Sequence, residues 1–261
     1  MNQHNTIHPQ AIIEPGAVIG DDVTIGPWTY ISKDVVIGDN CNISSHVVIN
    51  GPTRIGENNR IFQFASIGEE CQDLKYAGEP TELIIGDNNV FRECCTVHRG
   101  TIQDEGVTSI GSNNLFMAYT HIAHDCVVGN YCIMANNASI AGHVHVGDHA
   151  ILGGMSGVHQ FCHIGAHSFI AANALVLKDV PAYVMASGQP AKPFGLNSEG
   201  LKRRGFEKSA IVNIKRAYKE VYRKGLSVED ALTEVTKLVE QSHEVKAFAD
   251  SVKLSTRGII R

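Results

Sequence analysis

Histidine is the residue type in this chain that best suits chemistry at neutral pH. The chain has 261 residues, of which 13 are histidine. An imidazole titrates near neutral pH, so it can take a proton from a hydroxyl group, and it is also a common zinc ligand. Five histidines recur at spacings that bring them to one part of a repeat, namely His98, His121, His124, His143 and His159. The other histidines for which we predict a place, as surface residues on outward positions, are His8, His46, His145, His149, His163 and His167.

A repeat of six residues must position these side chains. Isoleucine occupies every sixth position from Ile7 to Ile67, and apolar residues continue the period, after a slip of one residue, from Ile110 to Val176. The position four residues after each of them is mostly small. A hexapeptide period is typical of a parallel β-helix, and β-branched residues suit its inward positions. The pattern predicts an all-β solenoid filled by one large and one small residue from each hexad.

A second period of 18 residues follows from glycine. Gly comes after the large apolar residue once in every three hexads, as it does at Ile19 and Ile37. Three hexads therefore make one coil of a triangular prism, and Gly eases one corner in each coil. Two longer intervals indicate loops at residues 69–83 and 100–109.

The 18-residue period also places the histidines. The hexads that carry them fall on the third face of four successive coils and begin at Val97, Ile122, Ile140 and Val158. Because parallel strands lie about 4.8 Å apart, the column spans roughly 15 Å. We predict that His124 faces outward from the third face and that His121 lies at the corner entering it. The first loop leaves the same face one coil earlier, so Asp73 and Lys75 can fold over the column.

Charge and composition exclude several classes of protein. Residues 1–189 hold 7 Lys+Arg and 18 Asp+Glu, whereas residues 190–261 hold 15 and 9. A basic module on an acidic solenoid suggests an acidic partner, and without an aromatic–basic stripe nucleic acid is disfavoured. No apolar run is long enough to span a membrane, and residues 1–10 are too polar for a signal peptide. Most of the seven cysteines fall on small inward positions, which predicts free thiols in a reducing cytoplasm.

The last quarter of the chain changes period. Apolar residues at helical spacing predict four helices: a short one capped by Asn197 or Ser198, one over residues 209–224, one capped by Ser227, and one over residues 244–253. We therefore divide the chain into a β-helix domain, residues 1–189, and a C-terminal α-helical domain, residues 190–261. The exposed faces of a triangular prism predict a homotrimer.

The residues alone leave several functions open. Three histidines could bind zinc, as in a hexapeptide-repeat carbonic anhydrase. Alternatively, one histidine is a general base in a long polar cleft with Gln160, Lys75 and Asp73, and Asp125 orients His124. Four coils of histidine favour the cleft over a tight metal cluster. A non-catalytic scaffold is the third possibility.

Five motifs are more specific than the hexads. They are HIAHDC at residues 121–126, QDLKYAGEPT at 72–81, HRGT at 98–101, VHQFC at 158–162 and FGLNSEGLKRRGF at 194–206. Together they resemble the bacterial UDP-N-acetylglucosamine O-acyltransferases, which begin lipid A synthesis, over essentially the whole chain. The N-acyltransferase that acts later in that pathway is less similar, because its members usually carry an extra N-terminal uridine-binding domain.

The resemblance implies a fold, a reaction and partners. The fold is a left-handed parallel β-helix with a C-terminal helical domain, assembled as a homotrimer with sites between subunits. The reaction moves an (R)-3-hydroxyacyl group from acyl carrier protein, which is acidic, to the 3-hydroxyl of UDP-N-acetylglucosamine. Neither a cofactor nor a metal is implied.

The resemblance also implies residue roles. His124 is the general base, Asp125 orients it, and the N–H of Gly142 stabilises the thioester oxyanion. The sugar contacts are Asp73, His121, His143 and Gln160, with Lys75 beside them. The nucleotide and diphosphate contacts are Gln72, His98, His159, Asn197, Glu199 and Arg203, and the carrier-protein contacts are Arg203 and Arg204. Ala172 stands where long-chain members of the family carry Gly in the acyl groove, which predicts a somewhat shorter acyl chain.

Overall fold

The hexads build a parallel β-helix in the computed structural model, which describes residues 4–261. Most strands are two residues long, and each coil contributes one strand to each of three sheets. Neighbouring strands are one coil apart, so that Ile7 pairs with Ile25 where no loop intervenes and Ile61 pairs with Phe91 across the first loop. The prediction of a solenoid with an 18-residue coil is therefore confirmed. The predicted polar N-terminal segment begins with residues 1–3, which lie outside the described residues.

The strands alternate among the three sheets in chain order. Sheet 1 contains β1 (Thr6–Ile7), β4 (Thr24–Ile25), β7 (Asn42–Ile43), β10 (Arg60–Ile61), β13 (Val90–Phe91), β16 (Leu115–Phe116), β19 (Ile133–Met134), β22 (Ile151–Leu152), β25 (Phe169–Ile170), β27 (Val184–Gly188) and β28 (Ala191–Leu196). Sheet 2 contains β2 (Ile12–Ile13), β5 (Tyr30–Ile31), β8 (Val48–Ile49), β11 (Ser66–Glu69), β14 (Thr96–His98), β17 (His121–Ile122), β20 (Ser139–Ile140), β23 (Gly157–Val158) and β26 (Leu175–Val176). Sheet 3 contains β3 (Val18–Ile19), β6 (Val35–Ile37), β9 (Thr53–Ile55), β12 (Glu82–Ile85), β15 (Val107–Ile110), β18 (Val127–Val128), β21 (His145–Val146) and β24 (His163–Ile164).

The interior of the prism is filled as the hexads predict. The large residues Ile25, Ile31 and Ile43 and the small residues Val47 and Ala65 are at most 1% exposed. Removing this much apolar surface from water is the main source of stability in such a fold. All seven cysteines are free thiols, and most of them are buried in the inward positions.

Left-handed backbone at the corners decides which side chains stack along the edges of the prism. The second residue of most corner turns has a positive φ, for example 58° at Asp125, 61° at His143 and 60° at His149. A positive φ at this position alone is the requirement of a type II turn. We call the corner between sheets 2 and 3 the second corner, and the corner between sheets 3 and 1 the third corner. Asp125 and His143 lie on the second corner, and His149 lies on the third.

Both predicted loops leave the coil after a strand of sheet 2. The first loop comprises residues 70–81, between β11 and β12, and the second loop comprises residues 99–106, between β14 and β15. The guanidinium of Arg99, the first residue of the second loop, donates to the carbonyl oxygens of Gly51 and Gly68 at 2.8 and 2.7 Å. The bases of both loops therefore lie at the second corner.

The end of the solenoid passes into helices through the β27–β28 hairpin, which pairs antiparallel across residue 189. The boundary predicted after residue 189 thus falls inside this hairpin. Four helices follow, close to the predicted ranges: α1 (Ser198–Arg203), α2 (Lys208–Tyr222), α3 (Val228–Val239) and α4 (Val245–Lys253). The side chains of Asn197 and Ser227 cap α1 and α3, as predicted. None of the helices within residues 4–261 is both long and apolar enough to cross a membrane.

Candidate active site

The two histidines at residues 121 and 124 have exchanged the places predicted for them. The two-residue strands end at their large inward residue, here Ile122, and the next residues form the turn. Sheet 2 is the face that the 18-residue period numbers as the third. His121, one residue before Ile122, therefore faces outward from this sheet, while His124 lies in the turn at the second corner. The prediction was wrong because the hexad count fixes the face but does not fix where the strand ends.

His124 and Asp125 form a hydrogen-bonded pair. His124 Nδ1 lies 2.8 Å from Asp125 Oδ2. The carboxylate is 2% exposed, and it accepts further hydrogen bonds from the backbone N–H and the hydroxyl of Thr101, each at 2.7 Å. Burial alone would raise the pKa of Asp125, but these hydrogen bonds outweigh burial and lower it. An ionised carboxylate only accepts hydrogen bonds, so Nδ1 of His124 carries the proton and Nε2 is left to accept one.

Gly142 lies directly against the His124 ring. A Cβ atom added to Gly142 would come within 2.5 Å of Cε1 and 2.6 Å of Nε2, so only glycine allows the ring to rest on this turn. The N–H of Gly142 donates to no group within residues 4–261. A free backbone donor thus lies next to the free nitrogen of His124, which suits an oxyanion formed there.

The His143 ring lies directly beside His124. Its Nδ1 lies 2.8 Å from Asp104 Oδ2 in the second loop, and its Nε2 lies 3.7 Å from Asp125 Oδ2. The ring stacks on Phe161 with centroids 4.4 Å apart and stands perpendicular to the His124 ring at 5.1 Å. These contacts fix the orientation of His143.

The outward face of sheet 2 carries two more histidines. His121 Nδ1 lies 2.8 Å from Thr96 Oγ1, and its ring makes an edge contact with His98 at 5.0 Å. Burial, followed by the charge of neighbouring histidines, lowers the pKa of both rings, that of His98 to about 4. His98 is therefore neutral at pH 7 and can contact a ligand through hydrogen bonds but not through charge.

A cavity of about 510 Å³ joins these side chains. It runs from His98 along sheet 2 to Leu175, past the small side chain of Ser139 and the bare backbone of Gly157. The predicted site residues that line it are Gln72, Asp73, His98, His121, His124, Gly142, His159 and Gln160. The cavity therefore brings together half of the predicted site residues within one chain.

Asp125 and His143, described above, do not line this cavity themselves, and neither do two further predicted residues, Lys75 and Ala172. Lys75 is exposed, and only its backbone N–H is engaged, with the Asp73 carboxylate at 3.0 Å. Ala172 lies in the turn between β25 and β26, three coils beyond the strand of His121. Ala172 is thus near the far end of the cavity, on the opposite edge of sheet 2 from His124.

The predicted residues around α1 lie on the third corner. Asn197 Nδ2 donates to the carbonyl oxygen of His167 at 3.0 Å, and Arg204 Nη2 donates to that of His149 at 3.0 Å. Arg203 and Glu199 are exposed, and Glu199 pairs with Lys202 at 2.7 Å. Within one chain, these four residues are separated from His124 by the width of a sheet.

Within residues 4–261, the one group of side chains whose atoms could hold a metal ion is His124, Asp125 and His143. Their ligand atoms lie within 4.8 Å of one another. Both oxygens of Asp125 already accept short hydrogen bonds from Thr101, and Nδ1 of His143 is bound to Asp104. The donor set therefore fits a proton-transfer site better than a zinc site, whose ligands need free lone pairs.

The residues that hold this site together, chiefly Thr101, Asp104 and Thr96, are not among those that the sequence predicts. Thr101 and Asp104 belong to a loop with no period, so no register could place them. Thr96 occupies an ordinary outward strand position, and only the presence of His121 on the adjacent strand gives it a partner. The one available signal was the position of Thr101 in the HRGT motif.

Comparisons with family models and curated proteins agree over the length of the chain. A model described as UDP N-acetylglucosamine O-acyltransferase, domain 2, matches residues 179–260, and one described as bacterial transferase hexapeptide (six repeats) matches residues 2–33 and 108–142. The chain is 57% identical over 255 residues to the acyl-[acyl-carrier-protein]–UDP-N-acetylglucosamine O-acyltransferase of Stutzerimonas stutzeri, covering 98% of this chain and 99% of the relative.

Solved structures give the same result. The UDP-N-acetylglucosamine O-acyltransferase from Moraxella catarrhalis is 52% identical, with a TM-score of 0.96 over 98% of this chain and 99% of that one. The Arabidopsis UDP-N-acetylglucosamine acyltransferase is 39% identical, with a TM-score of 0.85 over 98% of this chain and all of that one.

Proposed function

Because the chain belongs to the UDP-N-acetylglucosamine O-acyltransferase family, we propose that it transfers an (R)-3-hydroxyacyl group from acyl carrier protein to the 3-hydroxyl of UDP-N-acetylglucosamine, the first step of lipid A biosynthesis. The observation that carries this proposal is the environment of His124. Its Nδ1 is held by a buried carboxylate, its Nε2 faces a long cavity, and a free backbone N–H lies beside it.

In the proposed reaction His124 takes up one proton and later gives it to the leaving group. Nε2 takes the proton from the sugar 3-hydroxyl as its oxygen attacks the thioester carbonyl, and Asp125 stabilises the resulting imidazolium. The N–H of Gly142 donates to the oxyanion of the tetrahedral intermediate. The new C–O bond remains, the C–S bond breaks, and the imidazolium returns its proton to the leaving thiol.

The other predicted site residues, inside the cavity and beside it, are proposed to bind the acceptor. We assign the sugar to Asp73, His121, His143 and Gln160, with Lys75 at the rim. We assign the nucleotide and diphosphate to Gln72, His98 and His159 together with Asn197, Glu199 and Arg203. His121 and His143 are ordered by bonds at Nδ1, to Thr96 and Asp104 respectively, so each presents its Nε2 in a fixed direction.

The positions of α1 and the cavity support a homotrimer. The cavity opens at the second corner, whereas Asn197, Arg203 and Arg204 lie at the third. A cyclic trimer of prisms would place the third corner of one subunit against the second corner of the next, which completes the proposed site. Arg203 is the exposed cation of this group. We assign Arg203 and Arg204 to the carrier protein as well; Arg204 is partly buried and donates from Nη2 to the His149 carbonyl oxygen.

The donor side of the proposal follows from charge and cavity shape. Residues 190–261 contain 15 basic and 9 acidic residues, and this net positive charge suits the acidic carrier protein. We assign the acyl chain to the part of the cavity that leads past Gly157 towards Ala172.

The boundary between residues 189 and 190 stays our proposed domain division. The free thiols favour the cytoplasm, where disulfides do not persist.

The test is a transfer assay with purified protein, 3-hydroxyacyl carrier protein and UDP-N-acetylglucosamine. We expect an acylated sugar nucleotide by mass spectrometry, with the acyl group on the 3-oxygen, and an unchanged rate after treatment with a chelator. The proposal fails if no product forms, or if the chelated protein is inactive and zinc restores it, as a metal-dependent hydratase would require.

A further inference from the structure

The second loop, residues 99–106, is bound to the second corner at two points, although none of its residues lines the cavity. Thr101 contacts Asp125, and Asp104 contacts His143. We infer that Thr101 and Asp104 are positioning residues, which hold Asp125 and His143 in the orientation that acyl transfer requires. The inference rests on the proposed function, because it assigns a role in the same reaction to residues that do not touch the substrate.

Thr101 fixes both oxygens of the Asp125 carboxylate. Its backbone N–H donates to Oδ1 and its hydroxyl to Oδ2, each at 2.7 Å, and the side chain is buried. Oδ2 also accepts the hydrogen bond from His124 Nδ1 at 2.8 Å. A carboxylate held at both oxygens cannot rotate, so the Thr101 hydroxyl determines where the His124 ring points.

Asp104 does the same for His143. Because an ionised carboxylate accepts only, the bond to Asp104 places the proton of His143 on Nδ1. Nε2 then remains an acceptor facing the dyad. The perpendicular contact between the His143 and His124 rings would be lost if His143 turned, so the loop fixes both rings.

The loop is itself held firmly at its two ends. Gly100 N–H donates to the carbonyl oxygen of Glu82 at 3.2 Å, and Glu82 N–H donates to that of Gly106 at 2.8 Å. A Cβ atom on Gly100 would lie 2.3 Å from the Val107 nitrogen, so the backbone here packs too closely for any larger residue. The two anchoring contacts are thus carried on a rigid base.

Comparison with the following coils shows what the insertion adds. The second corner of the next two coils is formed by Gly142 with His143 and by Gln160 with Phe161, and neither pair includes a carboxylate. The coil of His124 is the one that follows the second loop, and it carries the buried Asp125. The insertion supplies the hydrogen-bond donors that a buried carboxylate needs. The charged and titratable groups that face Asp125 are His124, His143 and the thiols of Cys71 and Cys126. Those that face Asp104 are His143 and His145.

The first experiment compares Thr101→Val with Thr101→Ser. Valine keeps the shape but removes the hydroxyl, so we expect kcat to fall about ten- to a hundredfold while both KM values stay within about twofold, because a hydrogen bond to a charged group is lost outside the substrate site. Serine keeps the hydroxyl and should restore kcat to within about threefold of wild type. Equal activity of Thr101→Val and wild type overturns the inference, and so does an equal loss in both variants, which would indicate packing alone.

The second experiment uses Asp104, whose side chain is 41% exposed. Asp104→Asn weakens the bond to His143, so we expect KM for the sugar nucleotide to rise about threefold to tenfold with an unchanged melting temperature. Glu105→Gln is the matched control, since Glu105 is the exposed neighbour in the same loop and should behave as wild type. Identical KM values for the two variants overturn the role of Asp104. Failure of the proposed function is seen separately, because then wild type itself gives no transfer.

Discussion

Two columns of aromatic rings run along two edges of the prism, and they differ in what their ring nitrogens contact. On the second corner, His124 and His143 stand perpendicular to each other and bind Asp125 and Asp104. On the third corner the rings lie nearly parallel, with Tyr131 and His149 4.8 Å apart at 8° and His149 and His167 4.7 Å apart at 15°. The same repeat therefore produces both a set of oriented nitrogens and a flat stack.

The residues of the third-corner stack hold α1 through backbone hydrogen bonds. Carbonyl oxygens of His149 and His167 accept from Arg204 and Asn197, and the buried Nδ1 of His167 has no partner within residues 4–261. Stacked rings give apolar contact area and leave nitrogens unused. The two columns thus differ in whether a carboxylate orients the ring nitrogens, and the number of histidines in a column says little about that.

The largest expected effect separates His124 from a histidine without a carboxylate. His124→Ala should lower acyl transfer by a factor of about a hundred to ten thousand, because the general base is lost. His46→Asn is the control, since His46 is exposed on the remaining corner and Asn tolerates its positive φ of 58°. Steady-state rates would contradict the assignment if both variants matched wild type.

A slightly smaller loss is expected for Asp125→Asn. Thr101 N–H would still donate to the amide oxygen, which turns the amide NH₂ towards His124 Nδ1. The His124 proton then moves to Nε2, and the base is blocked, so kcat should fall about a hundredfold or more with little change in KM. Retention of more than half the activity would show that the carboxylate does not set the tautomer.

The loss of folding stability at low pH should be similar for a histidine near each of the two corners. Burial is the main reason that the pKa values of His98, beside the second corner, and His167, on the third, fall to about 4. The unfolded chain binds protons near pH 6.5, so stability is full above that pH and is lost as pH falls towards 4, by roughly 2–3 kcal/mol for each ring. Denaturant unfolding at pH 7 and pH 5 should show a smaller difference for His98→Asn and for His167→Asn than for wild type. An unchanged difference in either variant would mean that the ring in question stays accessible to protons in the folded state.

The smallest effect concerns the far end of the cavity. If Ala172 limits the acyl groove, Ala172→Gly should shift donor preference by one or two methylene groups towards longer chains, worth about fourfold in relative kcat/KM per methylene. Competition between carrier proteins loaded with different chain lengths measures this directly. The same preference in both proteins would remove Ala172 from the groove.

Much of this could be predicted from the sequence, for physical reasons. A hexad period is determined by the interior of the prism, so the faces, the coil length, the loops and the inward cysteines followed from counting. The α-helices followed from apolar spacing and from caps such as Asn197 and Ser227. Most of the residues named on sheet 2 do line one cavity, because the period fixes their face.

What could not be predicted depends on strand ends and on aperiodic segments. The exchange of His121 and His124 arose because a two-residue strand ends directly after Ile122, and periodicity does not report where turns begin. The contacts of Thr101 and Asp104 depend on the course of a loop. His149 and His167 were predicted on the surface but are half-buried, since the position of α1 over the third corner follows from tertiary packing.

We propose that a working site joins the second corner of one subunit to the third corner of another, and mixing two defective proteins tests this arrangement most directly. His124→Ala damages one edge and Arg203→Ala damages the other. If the site spans subunits of a trimer, an equal mixture refolded or coexpressed should regain about a quarter of wild-type activity, because each mixed trimer holds one intact site. A mixture no more active than its separate components would contradict the account.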